Sequence, residues 1–292
     1  MLEEMRDLGF ESVELSHGIR VSLAPGILAG VEDGVARVSS VHNFCPLPAG
    51  VMNAAPNIFE PTARQRAERE AWRRQSCRTI DFARQVGAPV VVLHSGSIPI
   101  LLGSPERRLK RLRAAAYEPG APSRDPRYVE AVRREVQRLE RRSAGPRRRA
   151  LTVFRQVAEY ARECGIRLAV ENREGLREFP LDDLIAGFLD ELDAPEVFGY
   201  WHDTGHAQLK ELAGIGTHHG LLLKNQANLL GFHLHDVSLE ESDHQIPGSG
   251  MIDWSMVGSF VRPEHELVLE LSPRLSPVEV CAGRDYLLRR WG

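Results

Sequence analysis

The sequence predicts an α/β protein, a (β/α)8 barrel whose first strand is missing, with a helical Arg-rich insert at about 96–149. Short β-rich runs alternate with amphipathic helical stretches along the whole chain, the pattern of βα units around a parallel sheet. Acidic and imidazole side chains fall at the C-terminal ends of those runs, where barrel enzymes carry their sites. No GxGxxG opens a helix after any strand, so the competing open doubly wound sheet lacks its usual mark.

Residues 1–9 read as a helix ending at Gly9, so the strand that should precede this helix is absent. The strand runs are SVELS (12–16), VSSVHNF (38–44), PVVVLHS (89–95), IRLAVEN (166–172), EVFGYWHD (196–203), LGFHLHD (230–236) and ELVLELS (266–272). Helical spacing is clearest over 62–86 and over 150–164, where Leu151, Phe154, Val157, Ala158 and Ala161 recur. Gly87 and Gly165 close these two helices. The passage after the third run is too long for an ordinary βα connection. Within it EPGAPSRDP (118–126) reads as a loop and 126–142 as an additional helix capped near Asp125. No boundary divides the chain, so residues 1–292 are expected to form one barrel domain. Loss of one strand from a closed barrel would expose two sheet edges.

A chain of 292 residues, 42% hydrophobic and 26% charged, can bury a sizeable core. No run approaches the roughly 18 apolar residues of a membrane span. The start MLEEMRDLGF is charged and amphipathic, unlike a secretory signal, which points to the cytoplasm and to no membrane partner. Cys45, Cys77, Cys164 and Cys281 form no CxxC pair; they suggest neither a disulfide framework nor a thiolate zinc site and read as buried small residues. The net charge of −3 hides an asymmetry, since residues 101–150 hold 15 Lys+Arg against 6 Asp+Glu, or +9, leaving −12 for the rest. Such a segment either stays in water as an Arg-rich helix or draws phosphate-bearing partners.

The chemistry is carried by strand ends. Glu14 ends the first run, His42 the second, His94 the third and Glu171 the fourth; Asp203, His233, His235 and Glu270 follow on the last three. Taken singly, each reads as a hydrogen-bonded rim or core residue. Taken together they do not, because parallel barrel strands are normally apolar runs and a buried carboxylate needs a cation or several hydrogen bonds. Glu171, Asp203, His233 and Glu270 converging would repel one another without a metal. Carboxylate and imidazole ligands without thiolate suit manganese, zinc, cobalt or iron(II).

These motifs resemble the xylose-isomerase-like TIM barrels, the family that holds sugar isomerases, ketose 3-epimerases and endonuclease-IV-type AP endonucleases. The resemblance rests on LAVENRE around Glu171, HDTGHA with Asp203 and His206, HLHD from His233 to Asp236, DHQIPGSGMIDW from Asp243 to Trp254, and LVLEL around Glu270. It implies a shared divalent metal on Glu171, Asp203, His233 and Glu270, with Glu171 and Glu270 as the acid–base pair. It also implies proton transfer next to the carbonyl of a sugar or sugar phosphate through a metal-stabilised enediolate. His206 would orient a substrate hydroxyl, Glu14 and Arg173 would contact substrate, and His235 would stand behind the metal or at the substrate. The GSG turn at 248–250 would let backbone approach a ligand. Barrels of this family often pair, so a homodimer is among the expectations.

The resemblance has a second branch. His42 and His94 match histidines that hold an additional zinc in the endonucleases, and His244 resembles a ligand of a third, which would suit a metal-dependent phosphodiester hydrolase. Against it, Ser242 stands where an aspartate is expected, beside Asp243. The acidic balance outside the insert also opposes a long nucleic-acid track. A degenerate barrel without catalysis is the third alternative. Against the sugar reading, VSLEES (237–242) offers no arginine after the metal histidine, where the ketose epimerases place one. Arg173 has a structural salt bridge as its plain alternative. Trp201 and Trp254 read as packing, His218 and His219 as exposed, and His17 as a pocket residue.

Overall fold

Seven β-rich runs become seven strands in the computed structural model, which describes residues 1–100, 104–114 and 122–292. The strands are β1 (Ser12–Leu15), β2 (Arg37–His42), β3 (Val90–Leu93), β4 (Arg167–Glu171), β5 (Phe198–Asp203), β6 (Leu229–Leu234) and β7 (Glu266–Leu269). The helices are α1 (Leu2–Asp7), α2 (Ala24–Glu32), α3 (Arg66–Gln85), α4 (Pro105–Ala114), α5 (Pro126–Cys164), α6 (Ile185–Leu192), α7 (Thr204–Leu212), α8 (His218–Asn225), α9 (Trp254–Gly258) and α10 (Pro277–Trp291). Residues 101–103 of the expected insert, and the part of the expected loop up to residue 121, lie outside the described residues. Strand order follows chain order, and the pairing is parallel. β3, β5 and β6 are buried along their whole length, as strands covered on both faces must be.

Two units divide the chain. The first comprises Met1–Ser97, Gly145–Glu171 and Gly187–Trp201. Its strands align Val41 with Val91, Val92 with Ala169 and Glu171 with Trp201. Its helix layer is aromatic at the centre, with Trp72 stacked on Phe154 at 4.9 Å and Phe188 edge-on to Phe154 at 5.4 Å. The second unit comprises Ile98–Ala144, Asn172–Ala186 and His202–Gly292. There β6 pairs with β7, placing His233 opposite Val268. A capping box between Ser276 and Glu279 starts α10, and the Trp291 indole donates to the Trp254 carbonyl at 2.8 Å.

Two expectations are corrected. The helices expected over 126–142 and 150–164 are one helix of 39 residues, α5, with Pro146 inside it. The break does not occur because one buried stripe runs through the proline. Leu139, Ser143, Pro146, Ala150, Val153, Val157 and Ala161 recur at three- and four-residue steps and are all buried. Burial of that stripe outweighs the single N–H that proline removes. Among the cysteines only Cys45 is buried, and that burial pushes its thiol pKa up; Cys77, Cys164 and Cys281 are half-buried. No helix among the described residues is long and apolar enough to cross a membrane.

Candidate metal and substrate site

In the first unit, β2 and β4 end in His42 and Glu171 and His94 directly follows β3; all three are buried, with ligand atoms within 4.8 Å of one another. His42 Nε2 lies 3.4 Å and His94 Nε2 3.0 Å from Glu171 Oε2. Hydrogen bonding fixes the tautomers. His42 Nδ1 faces the Asn43 carbonyl at 3.0 Å and His94 Nδ1 faces Asn57 Oδ1 at 2.9 Å. Each Nδ1 therefore carries its proton outward and each Nε2 turns a lone pair inward. Two lone pairs aimed at a carboxylate oxygen call for a cation between them, a proton or a metal. His17 stands edge-on to His42 at 4.7 Å, as expected of a residue lining this cluster. Glu14 accepts a 2.6 Å hydrogen bond from Ser40.

The second unit gathers Asp203, His233 and Glu270. His233 Nδ1 is 2.9 Å from Glu270 Oε2 and 3.9 Å from Asp203 Oδ2. Asp203 is fully buried and does three jobs. It caps α7 by accepting the His206 N–H at 2.7 Å, it faces His233, and it lies 3.0 Å from His235 Nε2. Its backbone is held by Asn172, whose side chain accepts the Asp203 N–H at 2.8 Å and donates to the Asp203 carbonyl at 2.9 Å. His206 donates Nδ1–H to the Asn172 carbonyl at 3.1 Å, which turns its Nε2 away from that carbonyl. Arg173 lies 3.4 Å from the same ring and pairs with Glu178 at 3.2 Å, so the structural salt bridge is present.

His244 joins this group from the loop after β6. Its Nδ1 donates to the Glu270 carbonyl at 2.9 Å and its backbone N–H donates to His235 Nδ1 at 2.9 Å. The two rings stack at 4.2 Å. Potential ligand atoms gather in two three-residue groups, His206 with Asp243 and His244, and His235 with His244 and Glu270, although both ring nitrogens of His235 are already hydrogen-bonded. Burial pulls the His235 pKa down, but the charge of Asp203 and its hydrogen bond outweigh this and raise it. The incoming His244 N–H nevertheless requires a lone pair on His235 Nδ1, so the ring is held with its proton on Nε2.

Several residues do work that their sequence did not show. Asp236 is a loop hub rather than a ligand. Its carboxylate accepts from the backbone N–H groups of Val237, Gly248 and Ile252 and from the Trp254 indole, at 2.9 to 3.1 Å. The GSG turn is explained by the same packing: a Cβ at Gly250 would lie 2.2 Å from the Val237 carbonyl oxygen, and one at Gly248 2.7 Å from the Tyr286 ring. These glycines serve contacts within the chain. Gly205 is the analogous case in HDTGHA, since a Cβ there would meet the His235 ring at 2.0 Å.

His218, expected at the surface, is buried, whereas His219 is exposed. His218 Nδ1 faces Gln208 Oε1 at 3.4 Å and its Nε2 lies 2.8 Å from His202 Nε2, so His202 donates to it. Burial lowers His202 well below the usual imidazole range and lowers His218 to about 4, against an opposing pull from Asp203. Trp201 and Trp254 are buried packing residues, as their sequence context indicates.

The comparisons with known proteins bear on this arrangement. No curated protein matches the sequence significantly. Among solved structures, 3-keto-D-glucoside 4-epimerase from E. coli is 13% identical, with a TM-score of 0.67 over 99% of this chain and 92% of that one. D-Psicose 3-epimerase from Clostridium cellulolyticum H10, solved with D-tagatose, is 12% identical, with a TM-score of 0.67 over 99% and 92%. The IOLI protein, solved with a bound zinc atom, is 12% identical, with a TM-score of 0.65 over 98% and 90%. Such identities show the fold. A family model described as xylose isomerase-like TIM barrel matches residues 2–264, and the chain belongs to that family.

Proposed function

We propose that the protein is a divalent-metal-dependent sugar or sugar-phosphate isomerase or epimerase. The reading treats residues 1–292 as one barrel domain with Glu171, Asp203, His233 and Glu270 as metal ligands. The observation that carries it is the meeting of Asp203, His233 and Glu270, two carboxylates and an imidazole supplied by the ends of β5 and β6 and the residue after β7. Glu171 directly precedes Asn172, the residue that clamps the Asp203 backbone. The donor set is oxygen and nitrogen without sulfur, which fits manganese, zinc or cobalt. A divalent ion held there supplies a Lewis acid at the substrate carbonyl.

The chain's own residues supply the rest. Glu270 takes a proton from the carbon beside the carbonyl and Glu171 returns one, or the reverse, so the carbon–hydrogen bond lost on one side re-forms on the other or on the neighbouring carbon. His206 orients a substrate hydroxyl through Nε2, its Nδ1 being committed to Asn172. Glu14 and Arg173 contact the substrate. The sugar epimerases among the structural relatives support this substrate class.

The test is exchange of carbon-bound hydrogen with deuterated water across a panel of ketoses, aldoses and their phosphates. Wild type should exchange a carbon-bound hydrogen in at least one, and Glu270→Gln should slow that exchange by about 10²–10⁴-fold. Absence of exchange with metal supplied contradicts the proposal. One observation favours a second reading: the inward lone pairs of His42 and His94 at Glu171 form a ready additional metal site, as a phosphodiester hydrolase would use. Nicking of a duplex containing an abasic site, without sugar exchange, would select that reading.

A further inference from the structure

The Arg-rich insert has an inner face. On α4, Glu106, Leu109 and Arg113 share one side; Leu109 is buried, while Arg107, Lys110 and Arg111 point to solvent. Each end of this inner face makes an ion pair with a loop of the second unit. Glu106 accepts from Arg177, on the segment that follows Asn172 and Arg173, at 2.7 Å. Arg113 makes a two-pronged pair with Glu241, one guanidinium nitrogen to each carboxylate oxygen. That pair is largely buried, at 13% and 20% exposure. Arginine suits this geometry because its planar fork matches a carboxylate.

Glu241 is at the turn of the loop that carries Asp243 and His244. The loop leaves the Asp236 hub, turns back with the Glu241 N–H on the Ser238 carbonyl at 2.9 Å, and returns with the His244 N–H on His235. Both Glu241 and His244 are in the left-handed region, with φ of 62° and 53°. A side chain larger than glycine stays in that region only where surrounding contacts hold it there. For His244 those contacts are the His235 ring and the Glu270 carbonyl. For Glu241 the contact is a two-pronged ion pair from outside the loop, to Arg113.

We propose that Arg113 is a positioning residue, holding the 238–243 turn so that His244 braces the Glu270 backbone and the His235 ring beside the proposed ligands Glu270 and Asp203. The inference rests on the metal-dependent reading above. It assigns the insert a role inside its own unit, with the cationic outer face of α4 playing no part. Arg113 touches neither the proposed metal nor the substrate; it acts through Glu241.

Hydrogen exchange with mass detection on the full metal-free chain tests the positioning. Peptides covering 238–245 should exchange at least about ten-fold faster in Arg113→Ala, with β6 unchanged, and the double variant Arg113→Glu/Glu241→Arg should restore protection. Should Arg113→Ala lose protection in β6 as well, Glu241→Gln gives the same comparison with the side chain nearly intact. Unchanged exchange at 238–245 overturns the proposal. Cobalt(II) titration followed by visible absorption supplies the second readout. Affinity falling about ten-fold in Arg113→Ala and recovering in the double variant supports ligand positioning. Faster exchange with unaltered cobalt binding overturns that role and leaves only a structural brace. Failure of wild type to bind cobalt at all overturns the metal-dependent reading beneath it.

Discussion

At the scale of single residues the site is organised by where protons sit. His42 and His94 in the first unit, and His206 and His244 in the second, each direct Nδ1 at a fixed oxygen acceptor, a backbone carbonyl or an amide oxygen, which places the ring proton on Nδ1 rather than Nε2. Asp203 is shared by a helix cap and three imidazoles, which leaves little tolerance around it. Gly205→Ala should therefore destabilise by roughly 1–3 kcal/mol, or misplace His235, because the added Cβ would have to displace that ring; urea unfolding measures it. His218 makes a separate prediction. Its native pKa of about 4 lies below the ordinary 6.5, so between these values the unfolded chain binds more protons. Its contribution is complete above pH 6.5 and is lost as pH falls toward 4. Thermal midpoints should drop over that window in wild type, and His218→Gln should flatten the drop.

At the scale of elements, the seven strands were legible because β-branched runs such as Val90–Leu93 have no helical periodicity and end in turn residues. The sequence separates helices over 126–142 and 150–164 because local spacing does not carry across 143–149, whereas the buried stripe that joins them in α5 is a tertiary fact. His218 was placed in solvent for a similar reason: GIGTHHG looks like a loop, and nothing local reveals that His202 and Gln208 await one of its two histidines. The acidic and imidazole side chains at the strand ends were legible because a charged residue ending an apolar strand is conspicuous. Sequence alone assigns Asp236 no role, because nothing local reveals the four donors that its carboxylate gathers. Pro146→Ala should restore one backbone hydrogen bond to α5 and remove little buried volume. We expect a net gain of about 1–2 kcal/mol, read as a higher urea midpoint, the propensity gain of about 3 kcal/mol being partly offset by the lost ring.

At the scale of the whole molecule, the family assignment over residues 2–264 gives the chain a scaffold used by sugar epimerases, while leaving the chemistry to particular side chains. The described residues carry seven parallel strands of an architecture that closes with eight. A metal that binds only the folded state should stabilise it, raising the thermal midpoint in proportion to the logarithm of metal concentration above its dissociation constant. That dependence should vanish when His233 is replaced by alanine and survive when the exposed arginines of α4 are replaced.

The most direct measurement is metal content per chain by elemental analysis after mild purification, on wild type, His233→Ala and His94→Ala. The account predicts one divalent ion per chain in wild type, lost in His233→Ala and retained in His94→Ala. No bound metal in wild type, even after incubation with manganese, cobalt or zinc, would contradict it; two or three ions, with loss in His94→Ala, would shift the assignment to the hydrolase.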